Sequence, residues 1–434
     1  MTSDSLKSRY FSKKLVMIAI VGVIFLIASL WLNHTTIQER QSLLNKAKEN
    51  IVLSWAGHQT LLGPLLIVPY TDHSKKDMVD GSMIFFPSKL DIKGEVIPEI
   101  RRRGIFNVLV YQSELDLDCQ FSSFKHFKDA NKTIHWNQAK IAIGLGDVRG
   151  LNAVSIKING HDAHVLAGSA DINAEYPGVH VPVTIDKNET INITAHLNMR
   201  GSDTLNVTPI AKENQIELSA NWPDPSFIGD FLPSTKNVTA KSFQAQWQIS
   251  SFATSLPEYC DLKELEKKNL AFGEYKIFSK IIGVRFLEAA DHYKQAERTT
   301  KYSFLFVLYT FLVFFLFEVV KRVKIHIFQY CITACSFLCF PLLLTAFAEH
   351  ASFEVAYSAA ALLIIGQVAF YVFGLVQKTS ERAMFLGFLV VLYSYLFIVM
   401  RLEEFALLAG ALGMFAVVTI AMVLTKKVNW FDEK

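Results

Sequence analysis

Hydrophobic positions along the chain follow two rhythms. In the first, apolar residues run almost without charge through six stretches: Leu15 to Leu32, Tyr302 to Val320, Phe328 to Ala348, Tyr357 to Val376, Met384 to Met400 and Phe405 to Thr425. A helix rises about 1.5 Å per residue, so about 20 such residues cross a hydrocarbon core about 30 Å thick. Each run therefore predicts a transmembrane helix. In the second rhythm apolar and polar side chains alternate with period two, the mark of a strand with one buried face. It covers Val154, Ile156 and Ile158; Val179, Val181, Val183 and Ile185; Ile193, Ala195, Leu197 and Met199; Ile216, Leu218, Ala220 and Trp222; and Phe243, Ala245, Trp247 and Ile249. Asn159-Gly160 predicts a tight hairpin, because both residues tolerate the positive φ of a type I′ turn. Helical spacing borders this region: Ile37, Leu44, Ala47, Ile51 and Trp55 continue the first run outward, and "AADHYKQAERTTKY" leads into the second.

Composition explains why both rhythms are needed. With 51% hydrophobic residues the chain is too apolar for an ordinary soluble protein, and with 19% charged residues it is too polar for a pure membrane bundle. The two characters are segregated along the chain. Net charge is only +3, and no basic stripe with interleaved aromatics suggests nucleic acid. Charge placement sets an orientation instead. Lys7, Arg9, Lys13 and Lys14 precede the first run, which places the N-terminus in the cytoplasm. Alternating the later spans puts Lys321, Arg322, Lys324, Lys378, Arg382, Lys426 and Lys427 on the same inner side, against Arg401 alone among the outer turns. The first run is long for a cleaved signal and "LIASLWLNHTT" lacks an A-x-A site, so it reads as an uncleaved signal anchor. The predicted organisation is a cytoplasmic N-terminus (1–14), transmembrane helix 1 (15–32), a β-rich, sandwich-like exported domain (33–301), five transmembrane helices (302–425) and a cytoplasmic tail (426–434).

Candidate chemistry is sparse. Ser226 in "WPDPSF" lacks the G-x-S-x-G elbow, and Pro223 and Pro225 with the flanking Trp222 and Phe227 read as a stiff anchoring loop. His161, Asp162 and His164 converge on a metal only if the turn bends sharply, since strand positions three apart face opposite ways. Asp147 and Arg149 in "GDVRGL" form a local ion pair and a possible ligand contact beside Gly146 and Gly150. Arg101, Arg102 and Arg103 read as a solvated run before a site for an anion. In the spans, Glu318 is expected to pair with Lys321 or Arg322, and Gln367 to find a partner on a neighbouring helix. Ala406 with Gly410 and Ala409 with Gly413 give small faces for close packing, and Cys331, Cys335 and Cys339 line one face as small apolar residues. Cys119 and Cys260 are the two cysteines of the exported domain and pair there if their side chains meet.

Ordered motifs run the length of the chain: "GPLLIVPY" (63–70), "EIRRRGIF" (99–106), "DVRGL" (147–151), "RGS" (200–202), "NWPDPSFIGDFLP" (221–233), "DHYKQAERTTKYSFLF" (291–306), "FFLFE" (314–318), "FAEHASFEVAY" (347–357) and "VNWF" (428–431). This series resembles that of the CreD family of bacterial inner-membrane proteins. The chain departs from the family pattern at Asp224, where His is expected, at Ala289 and Ala290, where Pro-Val is expected, and at Cys119, where Gly is expected. The resemblance implies a link to cell-envelope integrity, envelope stress and two-component regulation, and supplies no reaction or substrate. Asp147, Arg149, Trp222, Ser226, Phe227, Asp291, Tyr293 and Arg298 are the motif positions expected to have an interaction or structural role.

The sequence thus reads as a non-enzymatic, multi-pass protein of the bacterial inner membrane, with both termini cytoplasmic and a large periplasmic domain that binds or senses an envelope component or a membrane-protein partner. No catalytic set, metal or cofactor is assigned, and the lipid bilayer is its expected surrounding. A transporter would need charged residues facing a cavity between the spans. A membrane-anchored periplasmic hydrolase would need a nucleophile and base, or paired carboxylates, in one pocket.

Overall fold

The computed structural model describes residues 3–74, 79–104, 106–170, 177–262, 278, 280–286, 311, 314, 326–348, 350–402 and 405–426. The chain divides into two compact units: Asn45–Ala289, and Met1–Leu44 together with Ala290–Lys434.

The Asn45–Ala289 unit contains two sheets. The eight-stranded sheet runs β15 (Thr235–Val238), β16 (Phe243–Ser250), β13 (Glu213–Ala220), β3 (Lys89–Arg103), β4 (Phe106–Phe121), β11 (Ile191–Ser202), β7 (Leu151–Ile158) and β8 (His161–Asp162). Its neighbours are antiparallel except β13 and β3, which run parallel over Glu213↔Lys89 to Ala220↔Val96. The ten-stranded sheet runs β14 (Pro225–Gly229), β18 (Ile282–Phe286), β12 (Thr204–Val207), β1 (Gln59–Asp72), β6 (Ala139–Gly144), β10 (Gly178–Val183) and β9 (Leu166–Ala167). Off this path, β2 (Val79–Phe85) and β5 (Lys132–Ile134) pair with β1, and β17 (Tyr259–Asp261) pairs with β2.

Period-two patterning explains the strands. In β11, Ile193, Ala195, Leu197 and Met199 are buried while Asn192, Thr194 and His196 are exposed, and β13 and β16 repeat the pattern with Ile216 and Leu218 and with Ala245 and Trp247. β1 differs, because Leu61, Leu62, Leu65, Leu66, Ile67 and Val68 are all buried, as befits an interior strand covered on both faces. Inward faces of both sheets feed one core cluster, including Leu66, Leu117, Ile141, Leu197 and Trp247. Asn159 and Gly160 have φ of 50° and 83° and join β7 to β8, with Ile158 opposite His161, so the predicted hairpin is present.

The second unit is helical. A helix covers Ser3–Ser54, whose N-terminal part carries the first apolar run; its last residues, from Asn45 onward, belong to the β-rich unit. Ile327–Ala348, Phe353–Leu375 and Thr379–Arg401 follow, and these three are long and apolar enough to cross a membrane. A further helix covers Ala406–Thr425, with a shorter apolar stretch at Leu408–Ile420. The expected span Tyr302 to Val320, with Glu318, lies largely outside the described residues. Three helices meet at an aromatic knot: Phe340 stands edge-on to Tyr357 and Tyr393 at 5.4 and 5.2 Å, and the Tyr357 hydroxyl donates to the Tyr393 carbonyl at 2.7 Å. Three expectations are corrected here. Gln367 is exposed on its helix, as are Cys335 and Cys339, where packing against a neighbour was expected. The notch at Ala409 and Gly413 receives a tyrosine: the Tyr395 hydroxyl donates to the Ala409 carbonyl at 2.5 Å and lies where a side chain at Gly413 would begin.

Candidate functional site

Three of the sequence motifs converge within the β-rich unit, at the C-terminal end of the helix Ser3–Ser54. A helix end leaves carbonyls without partners. Here Arg149 reaches across and its Nη1 donates to the Leu53 carbonyl at 3.1 Å. The same guanidinium is fixed by Asp147, with Nη2 to Oδ2 at 2.7 Å and Nε to Oδ1 at 2.9 Å. Two amides complete the carboxylate's shell: Gly57 N donates to Oδ2 at 2.8 Å and Arg149 N to Oδ1 at 3.1 Å. Arg149 foremost, with these amides, holds the Asp147 carboxyl below the usual carboxylate range against the opposing effect of burial. The pair sits on a 3-10 turn, Val148–Gly150, capped by Asp147, and not on an extended segment.

Gln59 closes the arrangement from beneath. It is fully buried, and its amide is saturated: Nε2 donates to the carbonyls of Asp147 at 2.9 Å and Arg200 at 2.8 Å, while Oε1 accepts from Asp147 N at 3.2 Å. Gly150 is required by this closeness, since a Cβ there would strike the Arg200 carbonyl and the Gln59 amide. The "RGS" motif contributes three separate things. Arg200 stacks on Trp55 with its guanidinium carbon 4.8 Å from the ring centroid, Gly201 leaves room for the Tyr111 hydroxyl, and Ser202 N donates to the Gly57 carbonyl at 3.1 Å. From "EIRRRGIF", Arg101 stacks on Trp55 at 3.7 Å while Arg102 and Arg103 are exposed. Trp55 therefore has two cations on it, an arrangement worth about 0.5–2 kcal/mol per contact. Sequence reasoning marked Asp147, Arg149 and the three arginines and quoted Arg200 only within the "RGS" motif, but missed Gln59 and the role of Trp55. The recurrence of Trp55 at the end of the helical spacing was the available signal.

The other sequence-derived positions lie elsewhere. Ser226 and Phe227 lie on β14 at the edge of the ten-stranded sheet, which Pro225 begins, where a missing amide is tolerated, and Trp222 just before it packs half-buried against the core. Ser226 lies opposite Arg285, and Phe227 meets Phe243 and Trp247 edge-on at 5.9 Å each. His161 and His164 are exposed, and among the described residues no group of side chains could hold a metal. Asp291, Tyr293 and Arg298 lie outside the described residues. The pairing of Cys119 with Cys260 considered from the sequence is not formed here: Cys119 lies buried on β4 of one sheet, and Cys260 lies on β17 of the other. Burial also pushes the Cys119 thiol far above its ordinary pKa, so it stays protonated and inert.

Comparison with known proteins agrees with the motif series. The chain is 29% identical to the inner membrane protein CreD of Escherichia coli K12 over 438 aligned residues, covering 98% of this chain and 95% of that one. Among solved structures, a Legionella pneumophila protein named for nutrient binding matches with a TM-score of 0.26 at 8% identity, over 54% of this chain and 77% of that one. The M1 zinc metallopeptidase of Deinococcus radiodurans matches with a TM-score of 0.25 at 8% identity, over 82% and 95%. Overlaps this weak say nothing about fold or function. The model of the family described as inner membrane protein CreD matches residues 10–431, and the chain belongs to that family.

Proposed function

We propose that the chain is a non-enzymatic inner-membrane protein that supports cell-envelope integrity, with the β-rich unit in the periplasm binding or sensing an envelope component. The lipid-crossing helices serve as anchor, and both termini are cytoplasmic. The observation that carries this reading is the latch of Asp147, Arg149 and Gln59 on the end of the helix Ser3–Ser54. That helix carries the first apolar run in its N-terminal part, and on this reading the group holding its C-terminal carbonyl registers a change in the sheets. Every polar atom of the Gln59 amide and both carboxylate oxygens of Asp147 are used internally, which suits a coupling device better than a reaction centre.

The test is complementation. Cells lacking the chain are scored for entry of a hydrophobic dye through the envelope, then supplied with wild type, Arg149→Ala or Arg149→Lys. Wild type is expected to restore the barrier, Arg149→Ala to fail at equal membrane abundance, and Arg149→Lys to restore it in part. A barrier unchanged by loss of the chain overturns the reading. Full rescue by Arg149→Ala removes the latch from it.

A further inference from the structure

Away from the latch, and sharing none of its residues, the β-rich unit holds a cavity of about 500 Å³. Its size falls in the range of about 300–1,000 Å³ typical of small-molecule sites. One wall is aromatic. Phe85 meets Phe124 at 5.0 Å, Phe127 at 5.1 Å and Tyr259 at 5.8 Å, and Phe127 meets Tyr259 edge-on at 4.9 Å. Trp136 stacks behind Phe124 at 5.2 Å, so the wall is braced and its rings are fixed before any ligand arrives. Phe124 and Phe127 are only half-buried and Tyr259 is 46% exposed, which leaves ring surface available.

The rim carries charge of one dominant sign. Lys128 and Lys212 line the cavity with His126, against one carboxylate, Glu258. Lys212 reaches Glu258 at 3.6 Å, a pair in which both side chains are largely exposed and which therefore opens at little cost. Among the described residues Lys128 makes no ion pair. Ser122 and Ser123 add hydroxyl groups on the same lining. Aromatic rings and two lysines on one lining select a ligand that is itself divided, apolar and flat at one end and negative at the other. The volume excludes a folded partner as the occupant.

We propose that this cavity binds a small organic anion with a flat apolar body. The rings take the body, and Lys128 and Lys212 take the carboxylate, sulfonate or phosphate. This goes beyond the latch reading and fails independently of it, because the test varies only cavity residues.

The test uses the full chain in lipid nanodiscs and anilinonaphthalene sulfonate as the probe, with empty nanodiscs subtracted. Saturable binding of one probe per chain is expected. Lys128→Glu and Lys212→Glu should each weaken it by roughly 5-fold, the size of a partly exposed ion-pair contact. Glu258→Gln frees Lys212 and should tighten binding by about 2- to 5-fold, a gain that misfolding cannot produce. Phe127→Ala should weaken the probe and the uncharged N-phenylnaphthylamine alike, while the two charge reversals should leave the uncharged compound unchanged. No saturable excess over empty nanodiscs overturns the proposal. So does an affinity that ignores both charge reversals and Glu258→Gln, since the lysines then do not select the anion.

Discussion

Asp147 shows how one carboxylate can set the pH dependence of a junction. Its folded pKa lies below the ordinary carboxylate value, chiefly because Arg149 donates to it. The stability it contributes is therefore fully present above about pH 4 and is lost as pH falls through the lowered value. Asp147→Asn is expected to destabilise the chain at pH 7 by roughly 2–4 kcal/mol, the cost of losing charge-assisted bonds and stranding their donors. At a pH below the folded pKa the variant and wild type should converge. Thermal unfolding of the purified chain at both pH values measures this, and an equal deficit at both would show that the charge is not what matters. The second residue is Asn159. Its positive φ is tolerated by Gly as well, yet its Oδ1 also accepts from Asn192 N at 2.8 Å. Asn159→Gly should thus cost about 1 kcal/mol, and a β-branched pair at 159 and 160 more, because it adds strain to the lost bond. A melting curve unchanged by Val at both positions would contradict the turn geometry.

At the scale of elements, cysteine chemistry tests which strand carries what. Cys119 and Cys260 lie on strands of different sheets, so labelling the denatured, unreduced chain is expected to count all five thiols of the sequence. In the native chain Cys119 should react last, because it is buried on β4 between Leu90 and Ile193, its register neighbours. Three labelled thiols before reduction and five after would instead support a bridge. Much of the β architecture was legible in advance. Alternation at Ile193 to Met199 and Phe243 to Ile249 marks a buried face directly, because strand side chains repeat every two residues. The latch was not legible, for a physical reason. Gln59 and Arg200 are 141 positions apart, and Arg149 and Leu53 are 96 apart, so only the folded sheets bring them together. Arg101 shows the same limit: a triplet of arginines reads as solvated, and only its first member finds a tryptophan. Small residues in a helix were ambiguous too, since Gly413 looks like a site for close helix approach and in fact makes room for Tyr395.

The whole molecule poses the question of sidedness, and charge supplies a prediction. Translocation leaves Lys and Arg behind in the cytoplasm, and short loops near span ends carry most of the bias. The basic residues before Leu15, after Val320, after Val376 and after Thr425 agree on one inner side if the chain crosses at all six apolar runs. Three of these runs coincide with helices of membrane-crossing length and hydropathy, and the first lies within the helix Ser3–Ser54. The orientation predicted from this charge bias has residues 33–301 outside and both termini inside. A reporter active only in the cytoplasm should be silent when fused after residue 200 and active when fused at residue 434, and a reporter active only outside should give the reverse. Activity of the cytoplasmic reporter at residue 200 would overturn the topology, and with it the assignment of the two sheets to the envelope. Reversing the N-terminal charge bias provides an independent check. Changing Lys7, Arg9, Lys13 and Lys14 to neutral residues should weaken retention of the N-terminus and lower the external signal at residue 200, because the first crossing then loses the flank that orients it.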